Sequence, residues 1–321
     1  MLRCDLVLAL IAFVLSILTS AGAMATSQRT FVASYGSPAN TVFNCSITKP
    51  CRAFSDAISV TAATGEVIVL DSAGYGPVSI TQSVSIIAPA GIYAGITVFT
   101  GTGVDIHNTS TSVDVALRGL TINGQGGQNG IAYYAVLGSS LLVDDCNVSG
   151  MAAYGIYAGG PNSQLRVRNT VLRNNLYGVV VHGTFGGGPT GTLNGVHISG
   201  GSAGAIAYNQ SRLTITDSAI VDADIAVGAN GGDTLDITDV MVSRTAISGM
   251  TTAAFSLATG GSTTVRLVAD ANSINNIFSV VFKIDSSAGP AIVVYSPGNN
   301  TIGFNNGLIS GGTLSTPCCM K

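Results

Sequence analysis

The sequence predicts an all-β chain, a single-stranded right-handed parallel β-helix (a solenoid) with a short N-terminal capping helix. Three observations lead there. A two-strand unit recurs with its turns: Leu141 to Gly150 (LLVDDCNVSG) leads into Tyr154-Gly155-Ile156-Tyr157, and Leu165 to Asn174 (LRVRNTVLRN) leads into Tyr177-Gly178-Val179-Val180. An apolar marker just before a polar turn recurs at Ile122, Val148, Leu172, Ile198, Ile220 and Val242, at intervals of 22 to 26 residues. With 41 Gly in 321 residues, 9% charged, 46% hydrophobic and no Trp, the composition is neither that of an ordinary α/β enzyme nor that of a disordered chain.

Columns taken relative to the marker show how the chain winds. Five positions upstream stand Leu117, Val143, Val167, Leu193, Ile215 and Ile237, and seven upstream stand Val115, Leu141, Leu165, Gly191, Leu213 and Leu235. Four upstream the residues are polar or charged: Arg118, Asp144, Arg168, Asn194, Thr216 and Thr238. A strand alternating with period two therefore turns the apolar columns inward and the polar one outward. Three upstream, Gly119, Asp145, Asn169, Gly195, Asp217 and Asp239 form a column of residues that tolerate positive φ or hydrogen-bond the local backbone, as a corner demands. Each such unit buries its apolar face only by stacking on the next. Parallel connections favour the right hand.

Along the chain, residues 1–25 have the pattern of a secretory signal: Arg3, an apolar run from Leu6 to Leu18, then Ala23-Met24-Ala25 before Thr26. The run is short for a bilayer span, and Asp5 weakens the positive start, which leaves an uncleaved anchor as the alternative; after cleavage no membrane span is expected and the expected location is secreted, periplasmic or cell-surface. Residues 26–66 read as an N-terminal strand and capping helix, with Phe54, Ala57, Ile58 and Thr61 on one helical face. Such a cap covers the lumen and strand edges of the first coil. Residues 67–310 read as the β-helix, ending in a further coil or two and a capping strand or hairpin, and residues 311–321 as a flexible tail. One domain suffices, because repeat folds grow along a single axis. Of six cysteines, Cys4 leaves with the signal, and Cys45 and Cys51 are the best disulfide pair of an exported chain. Cys146 shares a column with Leu120, Thr170 and Val196 and reads as a small buried residue, while adjacent Cys318 and Cys319 would be strained if joined to each other.

Four segments together resemble a largely uncharacterised family of secreted bacterial right-handed β-helix repeat proteins in the pectin-lyase-like superfamily. They are Pro50-Cys51-Arg52-Ala53-Phe54, Val69-Leu70-Asp71 through Gly74-Tyr75-Gly76-Pro77-Val78-Ser79-Ile80, Leu117 through Gly124, and Tyr295-Ser296-Pro297-Gly298-Asn299-Asn300. The resemblance covers nearly the whole mature chain. It implies the fold and export, and no particular activity.

Enzymes of this fold mostly act on acidic polysaccharides from the outer surface of a strand face. Asp144-Asp145 and His182-Gly183 look superficially like the aspartate pair and histidine-glycine step of polygalacturonases, but Asn123-Gly124 lacks the expected aspartate and Arg166-Val167-Arg168 precedes the histidine instead of following it. A lyase would need a base and a cation beside the sugar carboxylate. Arg118, Asp144 and Arg168 are the catalytic candidates, since parallel pairing sets them about 4.8 Å apart in one outward column. The same three could instead form a surface ladder that only helps the rungs stack. Asp217 and Asp239, expected as neighbours in the turn column, are the candidate calcium ligands in an acidic region that also holds Asp222, Asp224, Asp233 and Asp236. Turn chemistry alone also explains Asp at these positions. No cofactor is required, and calcium is the one candidate.

Tyr154, Tyr157 and Tyr177 are the candidate carbohydrate-binding residues, with Tyr133, Tyr134 and Tyr208 on the same stretch of their coils. Stacked aromatics can form a sugar platform, or can be ordinary cross-rung packing. His107, His182 and His197 are scattered and read as surface or turn residues. A net charge of −3 without a basic stripe argues against nucleic acid. The expected function is an exported, non-catalytic β-helix that binds glycans, an acidic polysaccharide or a cell-surface glycan, or serves as an extracellular structural module. The alternatives are a polysaccharide lyase acting on uronic-acid polymers and a trimeric tailspike-like adhesin.

Overall fold

A computed structural model describes residues 26–136, 138–184, 187–232, 237–259, 264–285 and 292–311. The expected signal, Cys4, Cys318, Cys319, Asp233, Asp236 and all of the expected tail except Gly311 lie outside the described residues. The chain winds as a right-handed parallel β-helix whose coils visit three sheets in turn. Sheet A runs from Ser27–Val32 to Ile292–Tyr295, sheet B from Ala73–Gly74 to Thr301–Ile302, and sheet C from Val78–Ile80 to Ile309–Ser310.

The lumen is built by columns of like residues. Ile96, Ile122, Val148, Leu172, Ile198 and Ile220 pair in succession across sheet B and are all buried. Each such side chain contributes roughly 1.5–3 kcal/mol on burial, which no single coil could realise alone. The turn column also behaves as its residue types require: Gly119, Asp145, Asn169, Gly195 and Asp217 all have positive φ, between 46° and 72°.

The last of the aligned coils departs from the expected register. The partner of Ile220 is Ile247, and Val242 pairs with Ile215. Val242 is therefore five positions ahead of the marker, and Ile237, expected inside, is 39% exposed. The turn position next to Asp217 is held by Arg244 at φ 48°. Arginine has no intrinsic preference for this conformation; here its Nε and Nη2 donate to the two Asp217 carboxylate oxygens at 2.7 and 2.8 Å. An ion pair has replaced the usual turn chemistry, which hid the corner from a search for Gly, Asn and Asp.

At the N-terminal end, Cys45 is bonded to Cys51. The looped segment lies along the free edge of Ser27–Val32: Phe31 N–H donates to the Cys45 carbonyl at 2.8 Å, and Cys51 N–H to the Phe31 carbonyl at 2.9 Å. The edge is thus occupied instead of being offered to another chain. A seven-residue α-helix follows, Phe54–Val60, burying Phe54, Ala57 and Val60. It stops at Thr61 because Thr61 opens the strand Thr61–Val69, where its hydroxyl meets that of Thr30 at 2.8 Å. Toward the other end, Thr264–Asp270, Val280–Asp285 and Ile292–Tyr295 continue the parallel winding in their sheets. No hairpin closes this end among the described residues.

Candidate functional site

The outer face of sheet C carries the site. In Tyr154–Gly159, Ile156 and Ala158 are fully buried, whereas Tyr154 and Tyr157 are half-buried on the outside. Two outward residues three apart break strict alternation, and Gly155 absorbs the break. A Cβ on Gly155 would sit 2.6 Å from the Gly178 carbonyl oxygen and 2.9 Å from Leu172 Cδ2. Gly130, Gly178 and Gly204 occupy the same place in their own coils, each with a neighbouring carbonyl where a Cβ would stand. The glycine column therefore lets successive strands turn a pair of large side chains outward.

Pairing then aligns those side chains. Tyr154 pairs with Tyr177, and Tyr157 with Val180 and Ala132. A second column runs His107, Tyr134, Gly159, His182, Tyr208. The rings form an unbroken series: Tyr154 stacks on Tyr177 with centroids 5.6 Å apart, Tyr157 lies 5.0 Å from Tyr154 and 5.1 Å from Tyr134, and His182 lies 5.6 Å from Tyr208. His107 extends it at 6.0 Å from Tyr134. Gly159 leaves the room for this, since a Cβ there would come within 2.9 Å of Tyr157 and 3.2 Å of Tyr134. Val180, Ala203 and Ile206 lie beneath the rings as an apolar cluster separate from the lumen. Tyr154, Tyr157, Tyr177, Val180, His182 and Tyr208 enclose a concavity of about 170 Å³.

One polar network crosses this strip. The Asn209 amide nitrogen lies 3.2 Å from His182 Nε2, and Tyr157 Oη lies 2.9 Å from His182 Nδ1. An amide NH₂ only donates, so Nε2 accepts, and the ring proton assigned to Nδ1 is donated to Tyr157. The imidazole is neutral in this arrangement. Burial acts in the same direction, holding its pKa below the ordinary value of 6.5. Burial also pushes the Tyr157 hydroxyl up to about 12, so it stays protonated across the biological range.

The other candidates divide between two places on sheet A. Arg118, Asp144 and Arg168 do pair in one column. No ion pair within 4.0 Å joins them; Asp144 Oδ1 instead accepts from Asn169 at 3.4 Å. An Arg-Asp-Arg ladder exists farther along, where Asp239 accepts from Arg266 Nε and Nη2 at 2.5 and 2.7 Å and lies 3.7 Å from Arg212. Arg212, Asp239, Arg266, Met241 and Tyr295 border a cavity of about 350 Å³. Asp217 and Asp239, expected side by side as calcium ligands, are not neighbours: the register correction moves Asp239 into the strand and gives each its own arginine. The Arg244 guanidinium holds the Asp217 carboxyl below the usual carboxylate range. Among the described residues, no group of three or more His, Cys, Asp or Glu could hold a metal ion. Asp144-Asp145 and His182-Gly183 also fail to make one centre, since Asp144 belongs to sheet A and His182 to sheet C.

Histidines 107 and 182 were missed as members of the strip. A signal was available for His182, whose interval of 26 residues to Tyr208 falls within that of the apolar markers, whereas His107 stands 27 before Tyr134, and an isolated histidine does not announce which face it shares.

Comparison with known proteins agrees with the architecture. Residues 92–220 match the family model described as a right handed beta helix region. No curated protein matches the sequence. Pectate lyase Pel9A is similar in structure with a TM-score of 0.53 and 14% identity, over 90% of this chain and 78% of that one. A GH136 lacto-N-biosidase from Eubacterium ramulus gives a TM-score of 0.54 at 9% identity, over 88% of this chain and 67% of that one. At such identities the likeness is one of fold, and the fold shared is the right-handed parallel β-helix.

Proposed function

We propose that the protein is an exported, non-catalytic β-helix that binds a glycan on the outer face of sheet C through Tyr154, Tyr157 and Tyr177. The observation that carries this reading is the unbroken series of rings across successive coils, half-exposed around a concavity. Aromatic faces complement the C–H faces of sugar rings, and tyrosine hydroxyls supply polar contacts at the edges. Two of the similar solved structures are named for carbohydrate enzymes, which favours a carbohydrate ligand over other classes. The lyase reading has less support: the Arg212-Asp239-Arg266 cluster that borders the sheet A cavity ties its carboxylate to two guanidinium groups.

Affinity electrophoresis through gels containing polysaccharide tests the proposal. Retardation of the mature chain that disappears in Tyr154→Ala/Tyr177→Ala and persists in Asp144→Ala/Arg168→Ala is the expected result. Release of unsaturated uronate products that stops in Arg168→Ala would replace binding with catalysis and move the site to sheet A.

A further inference from the structure

The charge pattern around the rings says which glycans they take. Within the strands Asn129–Ala135, Tyr154–Gly159, Tyr177–His182, Ala203–Tyr208 and Ile225–Gly231, His182 is the sole titratable group besides tyrosine, and it is held neutral; the strand before them, Thr102–Asn108, adds Asp105 and His107. The nearest charged positions along the outward column of Tyr157 are Asp105, two rungs before it, and Lys283, three rungs beyond Ile206. At about 4.8 Å per rung, Lys283 lies roughly 14 Å past Ile206. Arg173 is close in sequence to Tyr177 but belongs to a sheet B strand. Asp224, just before Ile225, accepts a hydrogen bond from Thr251 at 2.7 Å. The nearest charge along this column is thus negative, and the field of Asp105 adds to burial in raising the Tyr134 hydroxyl pKa.

From this we infer that the strip is a site for an uncharged polysaccharide, lying along the solenoid axis. The inference rests on the glycan-binding reading above and narrows its ligand. A uronate or sulfated chain laid over these rings would leave its charge partly desolvated with no cation to meet it, and would approach Asp105 as a like charge. A neutral chain needs only aromatic faces and hydrogen-bonding edges. Tyr154 and Tyr177 present the first, and the Tyr157 hydroxyl and the Asn209 amide, both anchored on His182, the second. The axial direction follows from the layout: the ring series runs from His107 to Tyr208 across five rungs, roughly 19 Å, whereas a single strand offers at most two outward rings. A sugar chain crossing the strip at right angles would leave the stack after one residue.

The test sets neutral polymers (hydroxyethyl cellulose, glucomannan and dextran) against polygalacturonate and alginate in affinity gels, each at low and high NaCl. The expected result is retardation by at least one neutral polymer, unchanged by salt. It should weaken roughly tenfold or more in Tyr154→Ala/Tyr177→Ala and be kept in Tyr177→Phe, which retains the ring. Thermal melts of each variant establish that it is folded. Retardation by the acidic polymers alone, relieved by salt but still lost with the tyrosines, would overturn the neutral-ligand inference and leave glycan binding on the strip standing. No retardation by any polymer, or retardation indifferent to the tyrosines, would overturn the binding reading itself. A native mass of several chains that falls to one chain in Tyr177→Ala would make the strip a contact between copies, and both would fall.

Discussion

His182 shows how much one side chain reports about the strip. Its two nitrogens are both engaged, by Tyr157 at 2.9 Å and Asn209 at 3.2 Å, and burial disfavours its charged form. The folded protein therefore binds this proton less readily than the unfolded chain does. The stability associated with neutral His182 is fully present above pH about 6.5, the unfolded value, and is lost as pH falls through the lower folded value. Protonation would also force Nε2 to face a donor, the Asn209 amide, breaking that contact. We expect the thermal midpoint of the native protein to fall on acidification through this window more steeply than that of His182→Gln. Paired melts above and below the window check it, and parallel curves would remove His182 from the account. Cys146, unlike His182, is legible from its column: the thiol is 3% exposed at the corner before the sheet B strand Asn147–Ser149, and burial pushes its pKa up to about 12.

At the scale of strands and corners, the glycine column on the way into sheet C is the local device on which the site depends. Gly155 lies against the Gly178 carbonyl, so Gly155→Ala must push two coils apart or tilt the strand. We expect a loss of about 1–3 kcal/mol in urea denaturation, the ordinary cost of overpacking. A variant as stable as the native chain would show that the stack yields there without cost. Most of this level was legible in the sequence, because inward columns repeat apolar residues and corners repeat Gly, Asn and Asp. The register was lost where a corner used different chemistry: Arg244 takes positive φ beside Asp217 and is held by an ion pair, a contact between residues 27 apart that no local pattern discloses. The calcium expectation for Asp217 and Asp239 came from that slip. Tyr154, Tyr157 and Tyr177 were legible because they fall in the duplicated unit. Their connection to His107, Tyr134, His182 and Tyr208 depends on strand pairing, which only the folded coils display.

For the molecule as a whole, the solenoid stacks one coil on the next, so its stability depends on nearest neighbours and on what closes its ends. The Cys45–Cys51 bond holds the loop that occupies the edge of Ser27–Val32. Opening it restores loop freedom to the unfolded chain, and for so short a loop a cost of roughly 2 kcal/mol is expected. Thermal melts with and without reductant check this, using Cys45→Ser/Cys51→Ser as the control that reductant leaves unchanged. Identical melts for native and reduced protein would mean that the edge is held by its backbone hydrogen bonds alone. The outer faces of sheets A and C differ in kind: sheet A carries the Arg212-Asp239-Arg266 ladder, and sheet C the aromatic strip. The proposed function assigns ligand binding to sheet C, and the most direct measurement of that assignment is a crystal structure of the mature protein soaked with a polysaccharide fragment that retards it in gels. The account predicts sugar density lying along Tyr154, Tyr157 and Tyr177 on sheet C. Density over Arg118, Asp144 and Arg168 on sheet A, with the tyrosine rings bare, would contradict it.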